Sequence, residues 1–264
     1  MRLWIAVALM AVVAPVKAQL VVKLSPQTVA GFEEYVKTVE SQVNARWQGR
    51  KNLLLIEDDA DDKQRVLAGE VFIKQMNNGE PVSIQDGLIH DWLGAVYIPD
   101  KSAEQVVRLL EDFDRHRDIY PAVAESHMIR RNGDEITGYW QLRQKNVITV
   151  VLDVEESVRY QQIAPGKWKG AAYARHIVEE DTGLFSRGKK FPPGEGHGYL
   201  WRLYSYWTLE EVQGGVVAEC RTLSLSRDIP QSLAWAIAPY VEKTPRDSLV
   251  SILNSTRATL EKQQ

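Results

Sequence analysis

The spacing of apolar positions changes twice along the chain, dividing it into a helical start, a strand-rich middle and a helical end. Ser25-Pro26 is an N-cap followed by a proline suited to the first helical position, and Val29, Phe32, Val36, Val39 and Val43 then recur at three- and four-residue steps. This predicts one amphipathic helix ending between Trp47 and Gly49, its stripe packed on its own domain or offered to a partner. The run Glu57-Asp58-Asp59-Ala60-Asp61-Asp62 lacks the alternation, central glycine and closing glutamate of a calcium loop, and reads as a solvated turn that starts a helix. From Val66 the pattern shortens to strands at 69–76 and 88–98 around Asn77-Asn78-Gly79. A helix then starts at Ser102, carries Val106, Val107, Leu109, Leu110 and Phe113 on one side, and gives way to a break at Tyr120-Pro121.

Four more strands follow at 122–130, 135–144, 147–160 and 168–180, with hairpin signals at Asn132-Gly133-Asp134 and Lys145-Asn146. The Gly- and Pro-rich piece 182–198 has no periodicity and reads as a long loop. A last hairpin, 199–209 with 216–227, turns at Gln213-Gly214-Gly215. After a short apolar piece at 233–240, Thr244-Pro245-Arg246-Asp247 marks the start of a closing helix with Leu249, Val250, Ile252, Leu253 and Leu260 on its core side.

Successive side chains of a strand point to opposite faces, so parity sorts inward from outward residues. Ile136, Gly138, Trp140 and Leu142 form one inward set; Ile148, Val150, Leu152 and Val154 form the next; Trp168, Gly170, Ala172, Ala174, His176 and Val178 form a third. Centring the last turn on Gln213-Gly214 pairs Trp207 with Cys220, Ser205 with Thr222 and Leu203 with Ser224 on the inner face. It leaves Tyr206 with Arg221 and Thr208 with Glu219 toward solvent. Trp201, Leu203 and Trp207 then face a strand of small residues, Ala218, Cys220, Thr222, Ser224 and Ser226, which makes room for a ligand or for a closely packed helix. The candidate ligand-binding set is Trp140, Leu142, Val150, Leu152, Ala174, His176, Trp201, Leu203, Ser205, Trp207, Cys220, Thr222 and Trp235. His176 reads either as a hydrogen-bonded core histidine or as a polar anchor, and is the one catalytic candidate.

Composition adds a destination. Arg2, an apolar run from Leu3 to Val16, and Val16-Lys17-Ala18 form a cleavable signal peptide over residues 1–18, so the mature protein is expected to begin near Gln19 and to be periplasmic or secreted. No other stretch is long and apolar enough to span a bilayer, so no stable membrane span is expected after cleavage. Removing Arg2 and Lys17 leaves 30 basic against 35 acidic residues, which argues against nucleic acid as a partner. The single cysteine, Cys220, cannot form an internal disulfide, and the remaining chain is long enough to rely on a hydrophobic core. Cys220 reads as a small hydrophobe inside a sheet. Nucleophile-elbow, phosphate-loop, dinucleotide and zinc motifs are all missing, and the five histidines are scattered, so neither a metal nor a cofactor is expected.

The order strand, helix, break, antiparallel strands and long C-terminal helix, with Asp112-Phe113-Asp114, Tyr120-Pro121 and a rising hairpin, resembles the START-like or SRPBCC superfamily. That superfamily includes polyketide cyclase-like proteins and the plant pollen allergens. The resemblance covers residues 88–260, and the segment from His197 through Trp201, Tyr206-Trp207, Cys220 and Arg227-Asp228-Ile229-Pro230 is similar to exported bacterial members. It implies an α+β helix-grip fold, a curved antiparallel sheet wrapped round the C-terminal helix and enclosing a cavity for lipids, sterols, polyketides or hormones. The division expected is a signal peptide at 1–18, a helical extension at 19–64 and a helix-grip domain at 65–264. Three functions compete: an exported binding protein that encloses a hydrophobic small molecule or lipid, a cyclase or hydrolase using His176 with a neighbouring Tyr or Glu, and an envelope module that recruits a protein through the 26–47 helix.

Overall fold

The structure, a computed structural model, describes residues 21–145, 149–182, 188–228 and 234–263, with the side chains of all but 234–242. The signal-peptide reading at 1–18 and the inward position of Ile148 lie outside the described residues.

Helix α1, Pro26–Trp47, begins as expected, with the Ser25 hydroxyl accepting the Thr28 N–H at 3.1 Å and Pro26 in the first turn. A 3-10 turn at Leu55–Asp58 leads into α2, Ala60–Leu67, which is capped by the Asp59 carboxylate. The acidic run therefore starts a helix. Short strands β1 (Val22–Lys23), β2 (Phe72–Gln75) and β3 (Val82–Ile84) precede the long β4 (Gly87–Pro99). Next come α3 (Ala103–Glu111), a 3-10 turn at Phe113–Arg115 and α4 (His116–Ile119). Strands β5 (Val123–Asn132), β6 (Glu135–Lys145), β7 (Thr149–Ala164), β8 (Lys167–Glu179), β10 (Arg202–Val212) and β11 (Gly215–Arg227) build the rest of the sheet. The segment read as one long loop carries β9 (Glu195–Gly196), paired with β1, and its His197 N–H and ring nitrogen both meet the buried Glu179 carboxylate.

The main sheet is antiparallel in the order β2-β4-β11-β10-β8-β7-β6-β5, with β3 also on β4. The first long strand thus pairs with the last, and the sheet bends round helix α5, Ala234–Lys262. In the sequence a helix start was expected at Thr244-Pro245, but α5 runs through both residues. A proline removes a single helical hydrogen bond, and Leu249, Leu253 and Leu260, buried against the sheet, hold the helix in place beyond it. The helix leaves the β11 end of the sheet and finishes where Lys101 Nζ donates to the Gln263 carbonyl at 2.9 Å.

Both faces of the sheet are covered. On the inner face α5, α3 and the 113–119 turn pack over Val96, Ile136, Val158, Tyr160, Trp207, Leu209 and Cys220. On the outer face α1 buries Phe32, Val36, Val39 and Val43 against Tyr204, Tyr206, Leu223 and Leu225, while Leu54 and Ile56 cover Leu93, Ala95 and Val217. Tyr206, Arg221, Thr208 and Glu219, expected at a solvated face, are all buried there. Their polarity matches the polar side of α1 and the 54–58 turn: Tyr206 donates to Glu40 at 3.1 Å, Thr208 accepts the Trp47 indole N–H at 3.0 Å, and Glu219 accepts the Leu55 and Ile56 backbone N–H groups at 3.0 Å each.

Glycines mark the closest approaches on the inner face. A Cβ at Gly94 would lie 2.7 Å from Leu253 Cδ1 of α5, and one at Gly138 would collide with the Phe113 ring. Because a Cβ there would overlap Phe113 Cδ1 and the ring is itself buried, Gly138→Ala is expected to lower stability by about 1–3 kcal/mol, read as a lower urea midpoint with the same slope.

Candidate functional site

Cross-strand register arranges the inner face in rows. One row runs Gly138, Glu156, Ala174, Leu203, Ser224, His90, and the next runs Ile136, Val158, Ala172, Ser205, Thr222, Trp92. The third, Tyr160, Gly170, Trp207, Cys220, Gly94, is where Leu249 and Leu253 of α5 press on the strand. Small inward residues therefore serve two purposes. Gly94 admits the helix and Gly170 admits the Tyr160 ring, whereas Ala172, Ala174, Ser205, Thr222 and Ser224 fill two successive rows nearer the start of α5.

Six of the candidate ligand-binding residues meet in one apolar cluster at this end: Leu152 and Ala174 buried, with Trp140, Leu142, Val150 and Leu203 partly buried, Trp140 and Leu142 also packing on the main core. Trp207 and Cys220 belong to the main inner core, and Ser205 and Thr222 lie between the two. Burial drives the Cys220 thiol far above its ordinary range, with the Glu156 and Glu219 carboxyls adding to the shift, so it stays an inert thiol. The side chain of Trp235 lies outside the described residues.

Two candidates are misplaced by the sequence reading. His176 is exposed: its side chain keeps 54% of its accessible area and its Nδ1 stands 3.9 Å from Glu155 on the surface. The cause is a β-bulge. Glu155 pairs with His176 but Glu156 pairs with Ala174, so Arg175 is an extra residue and the parity reverses beyond it, turning Ile177 inward and His176 out. Trp201 is buried on the outer face with the α1 cluster, one residue before β10 begins, where strand alternation does not hold.

The same alternation also places a residue that the sequence reading passed over. Glu156 follows Val154 in the inward set of β7 and precedes Val158. The residue is partly buried between the buried Val154 and Val158. Burial pushes its pKa from an ordinary 4.5 up to about 8, opposed by a hydrogen bond that the Trp140 indole N–H donates to the carboxyl, so the group favours its neutral form at pH 7. Among the described residues Trp92 Nε1 has no hydrogen-bond partner. His90 Nε2 is 3.2 Å from Ser226 Oγ, whose own proton goes to the Arg227 carbonyl; Nδ1 is left without a partner, and burial lowers the imidazole pKa to about 4. Polar residues inside an apolar alternation were the available signal for Glu156 and His90.

A concavity of about 320 Å³ lies on the outer side of the sheet, lined by Ser41, Gln42, Ala45, Arg46, Lys51 and Leu55. Arg46 there is committed to Asp58 and to the Asn52 and Leu54 carbonyls. Among the described residues no helix is long and apolar enough to cross a membrane, and no group of three metal-ligating side chains comes together.

A bent antiparallel sheet whose first long strand closes on its last, gripping a C-terminal helix, decides the architecture. The fold is of the helix-grip kind. Solved structures similar to this chain include a STAR-related lipid transfer protein from Xanthomonas axonopodis, at 18% identity over 69% of this chain and 98% of that one, with a TM-score of 0.45. Human STARD10 is similar at 11% identity over 78% of this chain and 82% of that one, with a TM-score of 0.44. The Zhui aromatase/cyclase from Streptomyces sp. R1128 is similar at 9% identity over 66% and 95%, with a TM-score of 0.45. No family model matches the chain, and no curated protein matches it. A fold alone does not fix a function, so the function is read from the inner face itself.

Proposed function

We propose that this is an exported binding protein that encloses a hydrophobic small molecule or lipid in an internal cavity on the inner face of its sheet. The observation that carries the reading is the pair of inner rows with small residues at Ala172, Ala174, Ser205, Thr222 and Ser224, flanked by Trp140, Leu142 and Leu203, which retain accessible area beside fully buried neighbours. Burying a medium-sized apolar ligand there supplies several kcal/mol at about 25 cal/mol per Å², with no chemistry required. The exposed position of His176 withdraws the residue on which an enzymatic reading rested. Helix α1 spends its apolar stripe on its own sheet, which leaves that stripe unavailable for recruiting a protein.

Native mass spectrometry of the protein purified from its own host compartment, with a denatured extract alongside, tests the proposal. A discrete apolar molecule released on denaturation, and a polypeptide mass beginning at Gln19, are expected. A protein that neither carries nor takes up any apolar ligand across lipid classes overturns the binding function; an unprocessed N-terminus overturns the export.

A further inference from the structure

The concavity on the outer side of the sheet has a polar lining that the reading of the interior does not use. Its volume of about 320 Å³ falls within the roughly 300–1,000 Å³ range of small-molecule sites. One wall is the end of α1, with Ser41, Gln42, Ala45 and Arg46; the other is the segment beyond it, with Lys51 and Leu55. The chain turns back between them at Gly49, whose φ of 72° suits a glycine, and the Arg50 N–H closes on the Ala45 carbonyl at 2.9 Å. Arg46, the buried member of the lining, grips Asp58 and holds its carboxyl below the usual range, so these two charges offset each other. Glu57 pairs with Lys63, and Glu219 is held by the Leu55 and Ile56 N–H groups. Buried Arg221 donates to Gln42 Oε1 at 3.1 Å, which commits the amide oxygen and leaves the Gln42 NH2 without a partner among the described residues. The Ser41 hydroxyl has none among them either, and the exposed Lys51 makes no ion pair or hydrogen bond with them.

We propose that this concavity is a second binding site, for a small organic anion whose carboxylate or phosphate oxygens take the Lys51 ammonium, the Gln42 NH2 and the Ser41 hydroxyl, with its apolar part against Ala45 and Leu55. The free groups of the lining are donors, and Lys51 is the charge that nothing offsets. A neutral polar molecule satisfies the donors but leaves Lys51 without a counter-charge, and a cation meets Lys51 and Arg46 together. Arg221 is a positioning residue for the site: by holding Oε1 it fixes which side of the Gln42 amide is offered. The lining shares no residue with the inner face, so the site stands whether or not the interior holds a guest.

Benzoate, phenyl phosphate and benzamide share one ring and differ in charge, so they separate the anion from its apolar body. In titrations of the ¹⁵N-labelled mature protein at low salt, the anions are expected to move the Gln42 side-chain NH2 signals, assigned by their loss in Gln42→Glu, and the Leu55 backbone N–H. They should bind about fivefold more tightly than benzamide, and salt at about 1 M should remove most of that preference. Lys51→Gln should bring the anions down to the benzamide level, and Lys51→Arg should restore most of the preference; Lys51 is exposed, so neither change threatens the fold. The tighter of the two anions names the headgroup. Equal binding of all three probes, an anion preference unchanged in Lys51→Gln, or shifts confined to the inner strands overturns the proposal. So does a protein in which Gln42 and Leu55 move with none of the probes, and each of these results leaves the reading of the interior untouched.

Discussion

Arg221→Ala is expected to lower stability by about 3–5 kcal/mol, the largest single effect of any substitution on the outer face. Arg221 and Asp91 have side chains 6% and 2% exposed and form a two-pronged pair, Nε to Oδ1 at 2.9 Å and Nη2 to Oδ2 at 2.6 Å. Around them Tyr35 of α1 donates to Asp91 at 2.7 Å, and Arg221 reaches Gln42 at 3.1 Å. Burial, together with the neighbouring Asp91, raises the Tyr35 phenol above its ordinary range, keeping it a donor. Removing the guanidinium strands a carboxylate beneath α1 with one phenol to satisfy it, and a stranded buried charge is costlier than the net worth of the pair. The double variant Asp91→Leu/Arg221→Met, which leaves no charge behind, should lose much less than Arg221→Ala. Urea denaturation of both variants checks this; equal losses would show that the pair contributes through shape and not through charge.

The second large effect depends on pH. Because the folded-state pKa of Glu156, about 8, lies above its ordinary 4.5, the folded protein holds a proton there that the unfolded chain releases. Its contribution is fully present below about pH 4.5 and is lost as pH rises toward 8. Glu156→Gln keeps the neutral shape and abolishes the titration, so the variant should match its parent near pH 4.5 and exceed it by up to about 4 kcal/mol at pH 8. Glu219, raised by burial to about 7 against the pull of two backbone N–H groups, slopes in the same window, and the lowered His90 and His116 act at more acidic pH. The difference between parent and variant cancels these terms. Parallel curves from pH 5 to 8 would place the Glu156 carboxyl in contact with bulk water.

The last hairpin was legible in the sequence to the residue: the Gln213-Gly214 turn fixes Trp207 opposite Cys220, Ser205 opposite Thr222 and Tyr206 opposite Arg221, as found. A tight turn followed by an unbroken ladder leaves one register. The β7–β8 ladder was not legible beyond Ala174, since one inserted residue there exchanges the faces and nothing in Arg175-His176 announces it. The outer face failed for a different reason. Tyr206, Arg221 and Glu219 look the same in sequence whether they meet water or the Glu40, Gln42 and backbone groups of a covering segment, and only the long-range pairing separates the two. Helix α1 itself was readable from its stripe and cap, but its destination was not. On the inner face, most of the apolar lining followed from parity, whereas Glu156 needed the same parity to be carried two residues further.

The helix on the back of the sheet has a mechanical consequence. A sheet loaded on one side can flatten to admit a guest, but here α1 is bolted across β4, β11 and β10 by Arg221, Tyr35, Trp47 and an apolar stripe, and acts as a rigid back-plate. Widening the interior by bending the strands would break those contacts. If a guest enters the interior as proposed, its exchange is therefore left to the side of the sheet that faces α5.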